Sequence, residues 1–122
     1  MATSIVPKMK YEAMEEEAQY IAVQAERRVP NVQSIQIRND LNRYPSEFKN
    51  ANSGLIEIIV SYTSGYAAKI SWSQYTYGGD KLLWELTLLY GDNVAYNEDY
   101  PSPIGWLDST DILENLVKIS RY

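Results

Sequence analysis

Between Leu55 and Tyr90 the chain carries three consecutive runs in which apolar residues recur at every second position, separated only by short glycine-bearing turns. A period of two places alternate side chains on opposite faces of an extended strand. The runs predict strands at 55–63, 66–76 and 82–90. Ser64-Gly65 and Gly78-Gly79-Asp80 mark the turns between them. Gly91-Asp92-Asn93 turns again, into a short segment at 94–97. A further strand at 32–38, where Ile35 and Ile37 alternate with Gln36 and Arg38, precedes the three. Connections this short permit only antiparallel neighbours, so the expectation is a meander sheet of four to five strands.

The alternation also assigns the two faces. One face collects Ile56, Ile58, Val60, Ala68, Ile70, Trp72, Trp84, Leu86 and Leu88. A surface that apolar has to be covered. Two amphipathic helices flank the strands and are available for this. The first is expected over 8–28, with Tyr11, Met14, Ala18, Ile21, Ala22 and Ala25 on one stripe, Arg27 and Arg28 at its end, and Pro30 as its stop. The last is expected to open at Asp108 or Ser109, with Ile112, Leu113, Leu116, Val117 and Ile119 as its apolar residues. The fold class that follows is α+β: an antiparallel meander with the N-terminal and C-terminal helices packed on one face, residues 1–122 forming a single domain. The stretch 39–54 reads as a polar loop with a helical turn near 46–50, and 98–107 reads as a loop around Pro101 and Pro103.

The opposite sheet face collects Glu57, Ile59, Ser61, Lys69, Ser71, Ser73, Glu85, Thr87 and Leu89. It reads either as a solvated face, with Glu57, Lys69 and Glu85 as a cross-strand charge set, or as a docking surface.

Composition removes whole classes of chemistry. The 122 residues include no cysteine and no histidine. Thiolate nucleophiles, Ser-His-Asp and Cys-His arrangements, disulfides and zinc sites are thereby excluded. The oxygen-bearing loop from Gly91 to Asp99 lacks the spacing of a calcium-binding loop, and Gly78-Gly79-Asp80-Lys81 lacks that of a phosphate-binding loop. Glu57 and Glu85 are expected on an open, solvated face beside Lys69 rather than across a cleft, which is not the setting of a catalytic pair. No catalytic residue, metal or cofactor is expected, and the chain reads as a non-enzyme. No apolar run is long enough to span a membrane, and no leader pattern opens the chain, so a cytoplasmic setting is expected.

Charge is unevenly spread. The formal net charge is −5, and no basic residue lies between Lys81 and Lys118, whereas Glu85, Asp92, Glu98, Asp99, Asp108, Asp111 and Glu114 do. Direct nucleic-acid binding favours a basic face, so it is not expected. Tyrosine is abundant, eleven residues against one phenylalanine. Tyrosine suits both half-buried strand positions and recognition surfaces. The overlap of aromatic and acidic residues singles out Glu85, Asp92, Tyr96, Glu98, Asp99, Tyr100 and Trp106 as candidates for contact with a protein partner.

Residues 84–119 resemble the C-terminal part of a group of small uncharacterised tailed-phage proteins. The likeness rests on Trp84-Glu85-Leu86, Gly91, Tyr96, Pro103-Ile104, Gly105-Trp106-Leu107 and Asp111-Ile112. Tryptophan stands at two places where the group has tyrosine. The resemblance implies a phage or prophage origin, hence a host cytoplasm, and implies no activity. The expected function is a small acidic protein that binds another macromolecule, such as an inhibitor of a host nucleic-acid-handling or defence system. Two other readings stay open: an immunity protein neutralising a cognate toxin, and a self-assembling structural or virion-associated subunit, a homodimer through the open sheet face or an edge strand.

Overall fold

The computed structural model describes residues 2–40, 54–73 and 76–122, with side chains from Met9 onward. In chain order the elements are α1 (Ala2–Arg28), β1 (Val32–Asp40), β2 (Leu55–Tyr62), β3 (Tyr66–Trp72), β4 (Trp84–Tyr90), β5 (Asn93–Val94), β6 (Ile104–Leu107) and α2 (Ser109–Ile119). The strands form one antiparallel sheet in the order β1-β2-β3-β4-β5, and β6 also pairs with β4. The architecture is the α+β meander that the alternation predicts.

The cross-strand register explains the division of faces. Ile37, Ile58, Ile70 and Leu86 stand in one row across β1 to β4, and Ile35, Val60, Ala68 and Leu88 in the next. Apart from the half-buried pair on the edge strand, these side chains are buried under the helices. Tyr11, Met14, Ala18, Ile21 and Ala25 of α1 and Ile112, Leu116 and Ile119 of α2 close the core from the other side. Polar tips inside it find partners, as burial demands. Tyr62 donates to the Leu116 carbonyl at 2.7 Å, Trp72 Nε1 to the Gly79 carbonyl at 2.9 Å, and Trp84 Nε1 to Glu17 Oε1 at 2.9 Å.

Local signals set most of the boundaries. Asp108 caps α2 reciprocally: its carboxylate accepts the Asp111 N–H, and the Asp111 carboxylate accepts the Asp108 N–H. After α1 the chain turns at Asn31, which has φ +64° and whose side chain donates to the Ser120 carbonyl at 3.1 Å. Asparagine tolerates this left-handed conformation better than most residues.

Several expectations change. Helix α1 begins at Ala2 rather than at residue 8. Strand β3 stops at Trp72. The link to β4 is longer than the expected Gly78-Gly79-Asp80 turn: it includes a 3₁₀ turn at Gly79–Lys81 with Leu82 at φ +58°. The stretch expected as a loop over 98–107 holds strand β6, which meets the outer edge of β4. Val94 ends β5, so only the first residue of the expected segment at 94–97 belongs to a strand. The helical turn expected near 46–50 lies outside the described residues.

Candidate functional site

Strand β6 is out of step with β4. Trp84 pairs with Leu107 and Leu86 with Ile104, so Glu85 alone faces two residues, Gly105 and Trp106. This is a β-bulge, which breaks the alternation and re-aims a side chain. Trp106 adopts φ +62°, the left-handed region, and its side chain is 58% exposed. A left-handed non-glycine residue costs about 1 kcal/mol or more and persists only where its surroundings impose it.

Those surroundings are visible. The Trp106 N–H donates to the Tyr77 carbonyl at 3.2 Å, and the Tyr77 N–H donates to Glu85 Oε2 at 3.1 Å. The segment around Tyr77 thus bridges both members of the bulge. Its approach depends on two glycines. A Cβ on Gly105 would lie 2.2 Å from the Tyr77 Cβ, and Gly78, at φ +84°, would place one 3.0 Å from the Trp106 Cα. Tyr77 itself is 64% exposed. The result is two outward-facing aromatic side chains on a backbone pinned by a half-buried carboxylate. Large flat side chains with few rotatable bonds, held in advance, are suited to recognition. Among the described residues, no group of three or more acidic side chains is placed to hold a metal ion.

Six of the seven candidate contact residues reach the surface, and Tyr100 does not. Glu85 and Trp106 come together at the bulge. Asp92 is exposed in the turn after β4, and Tyr96 and Glu98 are exposed on the following loop. No hydrogen bond or ion pair joins these three to the bulge among the described residues. Asp99 faces α2: it accepts the Tyr122 hydroxyl at 2.8 Å and lies 3.2 Å from Lys118 Nζ. Those hydrogen bonds, first that from Tyr122, hold its carboxyl below the usual range. Lys118 therefore balances one charge of the acidic stretch. Tyr100 is a correction. It is 2% exposed, and its hydroxyl donates to Asn115 Oδ1 at 2.6 Å, so it is a core residue rather than a surface one.

The open sheet face is also rearranged relative to expectation. Glu57 and Glu85 both stand opposite Ser71, but Lys69 lies one row away, opposite Ile59 and Thr87. Glu57 is paired instead with Arg38 on β1, at 3.4 Å. Tyr77 belongs to the site and is missing from the seven candidates. Its signal was the adjacent Gly78-Gly79, since glycine next to an aromatic marks a place where another backbone comes close.

Other tyrosines are architectural. Tyr66 contacts Tyr90 and Tyr122 edge-on, at centroid distances of 4.8 and 5.4 Å, and Tyr122 contacts Tyr100 at 6.3 Å. They extend the core past the end of the sheet. Against models of protein families, curated proteins and solved structures, the chain finds no match.

Proposed function

We propose that this chain is a non-enzymatic domain that binds a protein partner through the surface formed by Glu85, Trp106 and Tyr77. The observation that carries the reading is Trp106: an exposed indole on left-handed backbone at a bulge, its N–H bonded to the Tyr77 carbonyl while the Tyr77 N–H bonds Glu85 across the bulge. Exposed tryptophan and tyrosine are the side chains on which interface energy concentrates. The absence of histidine and cysteine supports the non-enzymatic part of the reading.

The partner's surface is basic around an apolar cleft that receives the indole. Supporting this, residues 82–117 contain no Lys or Arg, so association is steered toward positive charge. With the resemblance over residues 84–119, the proposal extends to a phage-encoded inhibitor occupying the basic groove of a host nucleic-acid-handling or defence protein.

The test is a three-way capture from host lysate with the immobilised wild type, the Trp106→Ala variant and an Ile59→Ser variant on the open face. A protein retained by the wild type and Ile59→Ser but lost with Trp106→Ala is the expected outcome. Truncating a central tryptophan weakens binding about 30-fold or more. Identical proteins on all three columns, or none, would remove the assignment.

A further inference from the structure

Helix α1 is apolar on two sides. Its inner stripe, Tyr11, Met14, Ala18, Ile21 and Ala25, is buried against the sheet and α2. Yet Met9, Tyr20 and Val23 are 61%, 50% and 43% exposed on the same helix. With Ala13, Glu16 and Arg27, also exposed, they occupy positions 9, 13, 16, 20, 23 and 27. The steps alternate four and three, the spacing of a seam between two packed helices. At 100° per residue this outer stripe lies opposite the buried one. Tyr20 also borders a shallow groove of about 310 Å³ lined by Leu113 and Val117 of α2, with Arg28 and Glu114 at its margins.

We infer that a second copy of this chain covers the outer stripe, with the two α1 helices antiparallel. The argument is the order of its polarity. Glu16, Tyr20, Val23 and Arg27 read acid, apolar, apolar, base. Reversed, the series is its own complement. A two-fold axis between Tyr20 and Val23 sets Glu16 against Arg27 of the second copy and Tyr20 against Val23 of the second copy, twice over. This is the self-matching that an isologous interface requires. A parallel arrangement would oppose Glu16 to Glu16 and Arg27 to Arg27, which like-charge repulsion disfavours. Neither side chain makes an ion pair among the described residues, so both are available. The interface is small and of moderate affinity. It lies on the helical layer, apart from the Trp106 surface.

Light scattering coupled to size exclusion tests this on the full chain, at loadings up to about 0.5 mM, the range a small interface calls for. The wild type is expected to approach twice the 14.0 kDa chain mass. Glu16→Arg alone and Arg27→Glu alone each turn two attractive contacts into repulsive ones and weaken dimerisation about tenfold or more. An equimolar mixture of these two variants restores complementarity and regains the dimer. So does the doubly exchanged Glu16→Arg/Arg27→Glu chain, which excludes misfolding as the cause of the single-variant losses. Trp106→Ala leaves the dimer unchanged, so this inference and the partner-binding reading fail separately. A wild type that stays at single-chain mass overturns the inference. A dimer indifferent to both reversals, or a mixture that fails to recombine, also overturns it.

Discussion

At Trp106 the backbone and the side chain pull in different directions. The left-handed backbone suits glycine, and the indole is more than half exposed. Trp106→Gly is therefore expected to leave thermal stability within about 1 kcal/mol of wild type, relief of strain offsetting the greater freedom of the unfolded chain. The same variant should lose partner capture. A large destabilisation in a denaturant titration would show that the indole is structural. Gly105→Ala has the opposite profile: its Cβ meets Tyr77 at 2.2 Å, so stability falls by about 1–3 kcal/mol, as overpacking does. Two buried phenols give a pH dependence. Burial raises the pKa of Tyr62 and Tyr100 above the ordinary value of 10.0, so the fold favours their neutral forms. Below pH 10 neither state ionises and the whole contribution is present. As pH rises further, the unfolded chain ionises first, and stability drops. Tyrosinate absorbance followed together with circular dichroism should show the last phenols ionising only as the helices melt; full ionisation with intact ellipticity would contradict this. Of the site itself, Glu85 and Trp106 were legible as an acid and an aromatic in an acidic, aromatic stretch. Tyr100 was not distinguishable from them, because composition cannot tell a tyrosine whose hydroxyl meets Asn115 inside the core from one that meets solvent.

Elements were legible where a period persisted for two turns or five strand residues. Strand β2 and both helix ends near Arg28 and Asp108 fall close to where the pattern places them. The Asp108 cap is a local signal with a local energy. Asp108→Ala removes the carboxylate that accepts the Asp111 N–H, leaving the Asp108 N–H its bond to the Asp111 carboxylate, and is expected to cost about 1 kcal/mol. In calorimetry that is a fall of about 3–5 °C in Tm for a domain of this size; no change would mean water replaces the cap. Strand β6 was hidden for a physical reason. Two prolines precede it, and its bulge doubles one position, so no run of alternation survives for a reader to count. The end of β3 was hidden differently. Ser73 onward still alternates in sequence, but the Trp72 indole donates to the Gly79 carbonyl, in the 3₁₀ turn before β4.

Across the described residues the sheet has one face under the helices and an opposite face on which Glu57, Ile59 and Lys69 are half-exposed while Ser71 and Thr87 are buried, and neighbouring residues report opposite sides. Ile58 is fully buried, whereas Ile59 points away from the helices and is half-exposed. Ile58→Ala should cost about 2–5 kcal/mol, as cavity-forming changes in cores do. Ile59→Ala should cost less than about 1 kcal/mol. Equal losses in a urea titration would mean that the open face is covered as well. The layered plan was legible because it follows from matching apolar areas, a sum over many residues that survives errors in any one boundary.

Helix α1 is made first and closed last. Its inner stripe rests on strands that follow it in the chain, and three ties spanning 54, 67 and 89 residues complete the enclosure: Tyr62 to Leu116, Glu17 to Trp84 and Asn31 to Ser120. During synthesis the helix leaves the ribosome with both stripes unshielded, and it waits until α2 has emerged. Folding is thus paced by loop closure rather than by helix formation. For that interval the apolar stripes of α1 stay uncovered, about five to twenty seconds at ordinary translation speeds for the stretch between Arg28 and Ile119.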